Sequence, residues 1–194
     1  MKALAINGSA RKNGNTDIVI DRIFEKLNAA GIETEKVQFA ATIIEPCKAC
    51  FACGGKKNCI HKKDGFGEAF EKMLEADCII LASPVYAANI SANMQAFAER
   101  AAVVCDMNTG LLKHKIGVGI AAARRGGALN AIDAMNHFFL NHEMFVVGST
   151  YWNMVYGQMP GDVLKDEEGL ANMDNIAENI IWFFENLKCA EPLS

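Results

Sequence analysis

The chain has 194 residues, a formal net charge of −4 at pH 7 and 51% hydrophobic residues. This length and composition fit one globular domain with its own core, and they exclude a disordered chain. The Lys and Arg residues are dispersed, which gives no electrostatic case for binding nucleic acid or a membrane surface. Because residues 1–14 lack the apolar region of a signal peptide and no apolar run is long enough to span a membrane, the sequence predicts a cytoplasmic protein.

Five predicted strands alternate with five predicted helices along the chain. In order they are strand 2–7, helix 15–31, strand 32–39, helix 65–76, strand 77–84, helix 90–104, strand 115–123, helix 128–142, strand 143–149 and helix 170–188. The third and fourth strands are mostly apolar, which is typical of strands buried on both faces. The alternation predicts one three-layer α/β domain over residues 1–194, with a doubly wound sheet of five parallel strands. The irregular segment 40–64, after the second strand, is long enough to be an insertion.

Ligands of such folds bind beyond the carboxyl ends of the strands, and the first of these ends is the loop 7–16. It offers the side chains of Ser9, Asn15 and Thr16, the cation Arg11, and the backbone N–H groups where the first helix begins. These groups would suit a phosphate, because the N-terminus of a helix attracts anions. The alternative is an ordinary polar turn in which Asn15 or Thr16 is the helix N-cap.

Two further strand ends carry residues suited to a ligand. At 83–90, Pro84 fixes the backbone where the strand stops, and Tyr86 could face a flat ring. The alternative is that Tyr86 packs in the core or in an interface, as aromatic residues commonly do. At 121–130, small residues allow a ligand to approach the backbone closely, and the arginine pair that begins at Arg124 could meet an anion or solvent.

Four of the seven cysteines lie in the segment PCKACFACGGKKNC, at positions 47, 50, 53 and 59. A cytoplasmic location disfavours disulfides, because thiols stay reduced there. Structural zinc sites usually combine two C-x2-C pairs separated by a dozen or more residues, and this segment does not. The repeat of Cys47, Cys50 and Cys53 is the spacing that wraps a [4Fe–4S] cluster. The fourth ligand can be near or remote, and Cys59, after a glycine turn, is the local candidate. Zinc and bare, redox-active thiols stay open as alternatives.

Side chains near this segment leave two further choices open. His61 could replace one of the cysteine ligands, or it could be an ordinary exposed histidine. Five lysines surround the segment, at positions 48, 56, 57, 62 and 63. They either form a solvated surface or attract an acidic electron carrier by long-range steering. Cys78 is expected to pack as a small hydrophobic residue, and no ligand role is predicted for Cys105 or Cys189.

Three stretches, GSARKNGNT, SPVYAANISANMQAFAER and RRGGALNAIDAMNHFFLNHEMFVVG, together resemble the NADPH-dependent FMN reductase superfamily, whose fold is flavodoxin-like. The inserted cysteine segment resembles that of its iron–sulfur flavoprotein branch. The similarity runs from residue 1 to about 187, and the compact cysteine segment is what points to the branch. One departure is Ala10, where the family often has proline; we expect it to loosen the first loop slightly.

The resemblance implies that FMN binds at the strand ends and that a [4Fe–4S] cluster binds in the insertion, at about 43–64. The implied FMN residues are Ser9, Arg11, Asn15 and Thr16 for the phosphate, Pro84, Val85, Tyr86 and Asn89 for the isoalloxazine ring, and Ala123, Arg124, Gly126 and Gly127 on its far side. The implied cluster ligands are Cys47, Cys50, Cys53 and Cys59. Family members form homodimers or homotetramers with flavin sites near the subunit interfaces. No catalytic acid or base is predicted, because the cofactors supply the redox chemistry.

The predicted function is electron transfer from a ferredoxin-like carrier to dioxygen, peroxide or another redox protein. A first alternative is an NAD(P)H-dependent FMN or quinone reductase in which the cysteine segment is structural or binds a metal. A second alternative is a non-enzymatic thiol or metal sensor built on the same fold. Reduction by NADPH alone would favour the first, and a response to zinc or oxidant without turnover would favour the second.

Overall fold

The computed structural model describes residues 1–187 of the chain. Its elements are β1 (Lys2–Asn7), α1 (Asn15–Ala29), β2 (Glu33–Gln38), α2 (Phe66–Glu75), β3 (Cys78–Pro84), α3 (Ala92–Asp106), β4 (Ile116–Ala123), α4 (Ala128–Asn141), β5 (Phe145–Val146), β6 (Met154–Tyr156) and α5 (Glu167–Leu187), with a 3₁₀ turn at Asp162–Lys165. The five helices and the first four strands lie within a few residues of their predicted positions. The predicted last residue of the closing helix, Lys188, and the predicted non-ligand Cys189 lie outside the described residues. Between residues 1 and 187, no helix combines the length and apolar character needed to cross a membrane.

All strand pairs are parallel, and their order across the sheet is β2-β1-β3-β4-β5. Helices α1 and α5 cover one face and α2, α3 and α4 cover the other. Successive residues of a strand point to opposite faces, so Ala3 and Ala5 of β1 join the core under α1 and α5, while Leu4 and Ile6 join the other core. The predicted three-layer, doubly wound architecture is confirmed.

The outer edge of the sheet differs from the predicted single strand at 143–149. Strand β5 keeps two of those residues and pairs with the first half of β4, while β6 pairs with its second half. The chain leaves the sheet between them because buried Asn172 of α5 binds it. Ser149 Oγ donates to the Asn172 carbonyl at 3.0 Å, and the Tyr151 N–H donates to Asn172 Oδ1 at 3.1 Å. The sheet therefore has five positions, and two short strands share the last.

The start of α3 is set by a capping side chain that also binds the loop after β1, at the same carboxyl edge of the sheet. Ser91 Oγ accepts the Met94 N–H at 3.2 Å, which places the N-cap one residue beyond the predicted start. The same hydroxyl donates to the Gly8 carbonyl at 2.7 Å. A Cβ on Gly8 would meet Met94 Cβ at 2.8 Å, so glycine is required where the loop after β1 packs on α3. This contact fixes α3 against the first strand end.

Candidate functional site

A cleft of about 270 Å³ lies beyond the carboxyl ends of β1, β3 and β4, where the strand order reverses between β1 and β3. We call it the strand-end cleft. Eight of the predicted FMN residues line it, namely Ser9, Arg11, Asn15, Thr16, Pro84, Val85, Tyr86 and Arg124. Four lining residues that sequence analysis missed are Gly14, Ala122, Gly157 and Gln158.

The loop after β1 is held in place by the buried Asn7. Its Nδ2 donates to Asp17 Oδ1 at 3.3 Å and to Gln38 Oε1 at 2.5 Å. Its Oδ1 accepts the Ser9 N–H at 3.0 Å, and Gln38 Nε2 donates to the Ser9 carbonyl at 2.6 Å. Bonds from β1, β2 and α1 therefore fix the backbone at Ser9, which lowers the entropy cost of binding a ligand there.

The polar end of the cleft has the donors that an anion needs. In the described part of the chain no side chain caps the start of α1, so the first backbone N–H groups of the helix are left for a ligand. The Ser9 and Thr16 residues are buried, at 3% and 2% exposed, while Arg11 is exposed at the rim. Two hydroxyls, a guanidinium and a helix N-terminus match the chemistry of the FMN phosphate.

The segment after β6 closes this polar end. Arg11 NH1 donates to the Gln158 carbonyl at 3.3 Å, and the Gly161 N–H donates to Asn15 Oδ1 at 2.9 Å. A Cβ on Gly157 would meet Asn15 Nδ2 at 2.9 Å, so the backbone approaches Asn15 as closely as glycine permits. The sequence offered little signal for this wall, because the three-residue β6 that carries it is too short to show alternation.

The apolar end of the cleft is built on a tight turn. Tyr86 and Asn89 exchange backbone hydrogen bonds of 2.9 and 3.0 Å around Ala87 and Ala88, whose φ angles are +48° and +59°. Positive φ at both central residues is the requirement of a type I′ turn, and it costs residues other than glycine ~1–2 kcal/mol each. Gly127 lies against this turn, since a Cβ there would meet Ala88 Cα at 2.6 Å. The turn holds Tyr86 at the wall, where a flat ring can lie on it.

Four predicted FMN residues lie beside the cleft wall and do not line it. Ala123 is 1% exposed in β4, next to the lining residue Ala122. Asn89 closes the turn, and its Oδ1 accepts the next backbone N–H at 2.8 Å. Gly127 supports that turn, and Gly126 is exposed with open space around it. Their role in cofactor binding stays a prediction.

The cysteine loop, residues 43–64, is irregular chain throughout and brings its four cysteines around one pocket. Cys53 is buried, Cys47 and Cys59 are half-buried, and Cys50 is exposed. Burial raises the pKa of the Cys53 thiol, and the neighbouring thiols of Cys59, Cys47 and Cys50 add to that shift. The structure therefore brings the four predicted ligands together.

Two of the four sulfurs accept backbone hydrogen bonds. The Ala49 N–H donates to Cys47 Sγ and the His61 N–H donates to Cys59 Sγ, each at 3.4 Å. The His61 ring also faces the pocket, with Nε2 at 3.7 Å from Cys50 Sγ. Within residues 1–187, no three Cys, His, Asp or Glu side chains form a group able to hold a metal ion. The thiols surround the pocket and do not converge on one point, and their ligand role stays a prediction.

Helix α3 and the residue two beyond its end hold the loop in place. Glu99 Oε1 accepts the Cys47 N–H at 2.9 Å, and Asn108 Nδ2 donates to the Cys53 carbonyl at 3.0 Å. Arg100 donates to two backbone carbonyls of the loop, at 3.0 and 2.7 Å. Sequence analysis missed these three residues, because the contacts join positions 39 to 55 apart. For two of them, Glu99 and Arg100, the sequence has one signal, a charged pair inside the otherwise apolar stretch FAERAAVV.

The other two described cysteines are buried and do not line the pocket. Cys78 is fully buried under α1 and α5, as expected for a small hydrophobic residue. Cys105 is 4% exposed in the opposite core. Burial raises the pKa of Cys105 to about 12 and also raises that of Cys78. Both therefore stay protonated at neutral pH, which leaves them inert as nucleophiles and metal ligands.

Known proteins match this sequence over most of the chain. The model of the family described as NADPH-dependent FMN reductase matches residues 1–158. An iron–sulfur flavoprotein of Methanocaldococcus jannaschii is 34% identical over 188 residues, covering 93% of this chain and 95% of the relative. An iron–sulfur flavoprotein of Methanosarcina thermophila is 35% identical over 180 residues, covering 92% of this chain and 91% of the relative.

Solved structures agree with the fold. A flavodoxin from the domain Archaea superposes with a TM-score of 0.58 at 16% sequence identity, covering 93% of this chain and 99% of that one. At that identity the likeness shows the fold alone, which is flavodoxin-like. The sequence matches add the activity class, an FMN-dependent oxidoreductase. The chain belongs to the NADPH-dependent FMN reductase family and, within it, to the iron–sulfur flavoprotein branch.

Proposed function

We propose that this FMN-dependent oxidoreductase is an electron-transfer protein with two cofactors, FMN in the strand-end cleft and a [4Fe–4S] cluster in the cysteine loop. The observation that carries the proposal is the pocket lined by Cys47, Cys50, Cys53 and Cys59, in a chain whose relatives are named iron–sulfur flavoproteins. FMN supplies exchange of one or two electrons and a cluster supplies exchange of one, so together they join one-electron carriers to two-electron reactions.

The residues of the cleft divide between the two ends of FMN. Ser9, Arg11, Asn15 and Thr16 would hold the phosphate at the start of α1. Pro84, Val85 and Tyr86, on the turn closed by Asn89, would carry the isoalloxazine ring, with Arg124 facing it and Ala123, Gly126 and Gly127 behind. The cleft supports this assignment because its hydroxyls, cation and uncapped helix lie at one end and its apolar turn at the other.

The donor set of the cysteine loop fits an iron–sulfur cluster. Four thiols and two N–H···S hydrogen bonds are the groups that hold such clusters and tune their potentials. The pocket has a volume of about 20 Å³, about the space of one water molecule. A cluster is larger than this pocket, so the thiols would have to move apart to hold it. Cys50 is the exposed thiol of the four and lies between Ala49 and Phe51, whose φ angles are +50° and +51°.

The surface around the loop suits an acidic, ferredoxin-like electron donor. Lys48 pairs with Glu45 at 3.1 Å, and the other four lysines of the segment, Lys56, Lys57, Lys62 and Lys63, are exposed. A cluster of cations beside an electron entry site speeds encounter with a negatively charged carrier. Electrons would then pass to FMN and on to a small oxidant or a redox protein. The homodimer or homotetramer typical of the family is part of this proposal.

The test is preparation and cluster reconstitution without oxygen, followed by iron, sulfide and FMN analysis. We expect four irons and four sulfides per chain with one FMN, and FMN reduced rapidly by a reduced ferredoxin. One iron or none per chain in the reconstituted protein would overturn the cluster. A cluster that ferredoxin cannot reduce would overturn the donor assignment alone.

A second candidate, an NAD(P)H-dependent FMN or quinone reductase, is favoured by the description of the matching family. The two candidates differ in which donor reduces FMN directly. Anaerobic mixing with NADPH, with no other protein present, should bleach the flavin within seconds if this candidate is right. Slow bleaching by NADPH, together with rapid bleaching by reduced ferredoxin, would leave the electron-transfer proposal in place.

A further inference from the structure

Arg100 is a buried cation beside the cysteine pocket. It lies in α3, is 3% exposed and forms part of the pocket wall. A guanidinium removed from water costs several kcal/mol unless it is paired and fully hydrogen-bonded. The contacts of Arg100 must therefore offset the cost of burying its charge on an apolar face of the helix.

The contacts of Arg100 come from both ends of the cysteine loop. Its NH1 donates to the Glu45 carbonyl at 3.0 Å and to Asp64 Oδ2 at 2.5 Å, and its NH2 donates to the His61 carbonyl at 2.7 Å. Asp64 Oδ2 also accepts the Glu45 N–H at 2.8 Å. The guanidinium lies 4.2 Å above the centre of the Phe66 ring, which adds a cation–π contact. The planar fork of arginine makes these bonds together, and lysine cannot.

These contacts close the loop around its cysteines. Glu45 stands two residues before Cys47, and His61 stands two residues after Cys59. One side chain therefore joins the entry and the exit of the cysteine segment and fixes both to α3. With its ends fixed, the segment has fewer conformations, so its thiols need less ordering to bind a cluster.

The charge of Arg100 also reaches the thiols. Arg100 and Cys59 line the same pocket, and an arginine guanidinium stays charged at neutral pH. Burial opposes ionisation of Asp64, but hydrogen bonds from the Glu45 N–H and Arg100 lower its pKa. At neutral pH the pocket wall therefore carries a positive charge next to Cys59, with its counter-charge on Asp64.

We propose that Arg100 is the positioning residue of the cysteine loop, which ties both loop ends to α3 and holds a positive charge beside Cys59 that raises the reduction potential of the cluster. This inference rests on the proposed cluster. Reduction adds one negative charge to a cluster, so a nearby cation favours the reduced form and a nearby carboxylate disfavours it. Arg100 and Asp64 should therefore act on the potential with opposite signs.

The experiment measures the midpoint potential of the cluster in the FMN-containing, anaerobically reconstituted protein. Arg100→Gln should weaken the electron affinity of the cluster at least tenfold, about 59 mV for a one-electron couple. Asp64→Asn should shift the potential upward, and Arg100→Lys should leave it within a few-fold of wild type. Arg22→Gln is the matched control, because Arg22 makes a bidentate pair with Asp174 at 2.8 and 2.7 Å on the opposite face of the sheet.

Opposite shifts in Arg100→Gln and Asp64→Asn support the proposal, since general damage to the loop would move both the same way. Shifts of the same sign, or none, overturn the electrostatic role. If Arg100→Gln fails to fold, the other two variants decide the electrostatic role. Asp64→Asn should still raise the potential and Arg100→Lys, which keeps the charge, should leave it within a few-fold of wild type; no rise in Asp64→Asn would overturn the electrostatic role. Hydrogen exchange of backbone amides 45–64 tests the positioning role, which Arg100→Lys should lose, with at least tenfold faster exchange.

Hydrogen exchange also separates this inference from the proposed function. If wild-type protein assembles no cluster, the proposed function fails, but exchange of the loop amides still decides whether Arg100 positions the loop. Unchanged exchange in both Arg100 variants would overturn the positioning role. A normal cluster in all variants with an unchanged potential would overturn the electrostatic role of Arg100 and leave the proposed function intact.

Discussion

The strand-end cleft and the cysteine loop are two sites that the same chain builds in different ways. The cleft takes its walls from the ends of β1, β3 and β4 and from the start of α1, so the sheet sets its backbone positions. The cysteine loop is irregular chain, and its position depends on a few polar side chains, chiefly Glu99, Arg100 and Asn108. The backbone of the cleft is therefore set by the sheet, and that of the cysteine loop by side-chain contacts.

Helix α3 supports both sites at different points along its length. Its N-cap, Ser91, binds the Gly8 carbonyl in the loop that leads into the cleft. Its later turns hold the cysteine loop through Glu99 and Arg100. Substitutions at either site should therefore affect that site alone, unless they displace the helix. The following experiments test that separation, from the largest expected effect to the smallest.

Removal of one cysteine should abolish the cluster and spare FMN. Cys50→Ser changes an exposed thiol and costs no core packing. Loss of a direct ligand should exceed the about 10–100-fold drop in affinity that loss of an outer hydrogen-bond partner causes. Iron per FMN, measured after anaerobic reconstitution, reports the result. Cys105→Ala, in the core, is the control and should keep its iron; equal iron in the two variants would contradict the predicted ligand set.

Thr16→Val, in the cleft, should have the opposite effect to the loss of a cysteine: it should weaken FMN binding and spare the cluster. This change keeps the shape of a residue that is 2% exposed and removes its hydroxyl. Loss of a hydrogen bond to a charged phosphate should weaken FMN binding about 10–100-fold. Fluorescence titration with FMN gives the affinity, and iron content should not change. The exposed Thr109→Val is the control; a variant at position 16 that binds FMN as tightly as wild type would place the phosphate elsewhere.

The turn at the apolar end of the cleft can be tested with two glycines. Gly127→Ala would put a Cβ 2.6 Å from Ala88 Cα at a φ of +85°, whereas Gly148→Ala, which does not line the cleft, enters open space. The first change should cost about 1–3 kcal/mol of unfolding free energy and weaken FMN binding, and the second should do neither. Thermal unfolding and flavin content give both readouts. Similar values for the two variants would show that the turn does not depend on close packing against Gly127.

The smallest effect is expected from Glu35, a charged residue on the sheet that supports both sites. Glu35 on β2 accepts from Lys2 and Lys72 at 2.8 and 3.0 Å, and these contacts lower its pKa. Because the folded pKa is the lower one, this stabilisation is present above the unfolded value of about 4.3 and is lost as pH falls through the folded pKa.

Glu35→Gln should therefore cost about 0.2–1 kcal/mol at pH 7 and progressively less as the pH falls below about 4. Urea unfolding at several pH values measures this difference. Glu33→Gln is the control, because Glu33 is 72% exposed and lies 4.0 Å from Lys2. Neither change should alter the iron or FMN content. Loss of only one cofactor would argue that the sheet does not support the two sites in common.

Most of the cleft could be predicted because its residues follow directly from strand ends. Ser9, Thr16 and Tyr86 stand where an apolar strand gives way to polar or turn residues, and that change is visible locally in the sequence. Gly157 and Gln158 could not be predicted, because they reach the cleft only when β6 pairs with the second half of β4. β6 pairs there because the chain leaves the sheet after β5, where Asn172 binds it, and returns to the sheet further along β4.

The sequence by itself determined the order of elements, the strand ends that form the cleft and the four cysteines that lie together. These features depend on periodicity and spacing over a few residues, which the chain carries locally. The tertiary structure decided the two-part edge of the sheet, the closing wall at Gly157 and the attachment of the cysteine loop to Glu99, Arg100 and Asn108. Those contacts join residues that are distant in the chain, so their partners are fixed only when the helices pack on the sheet.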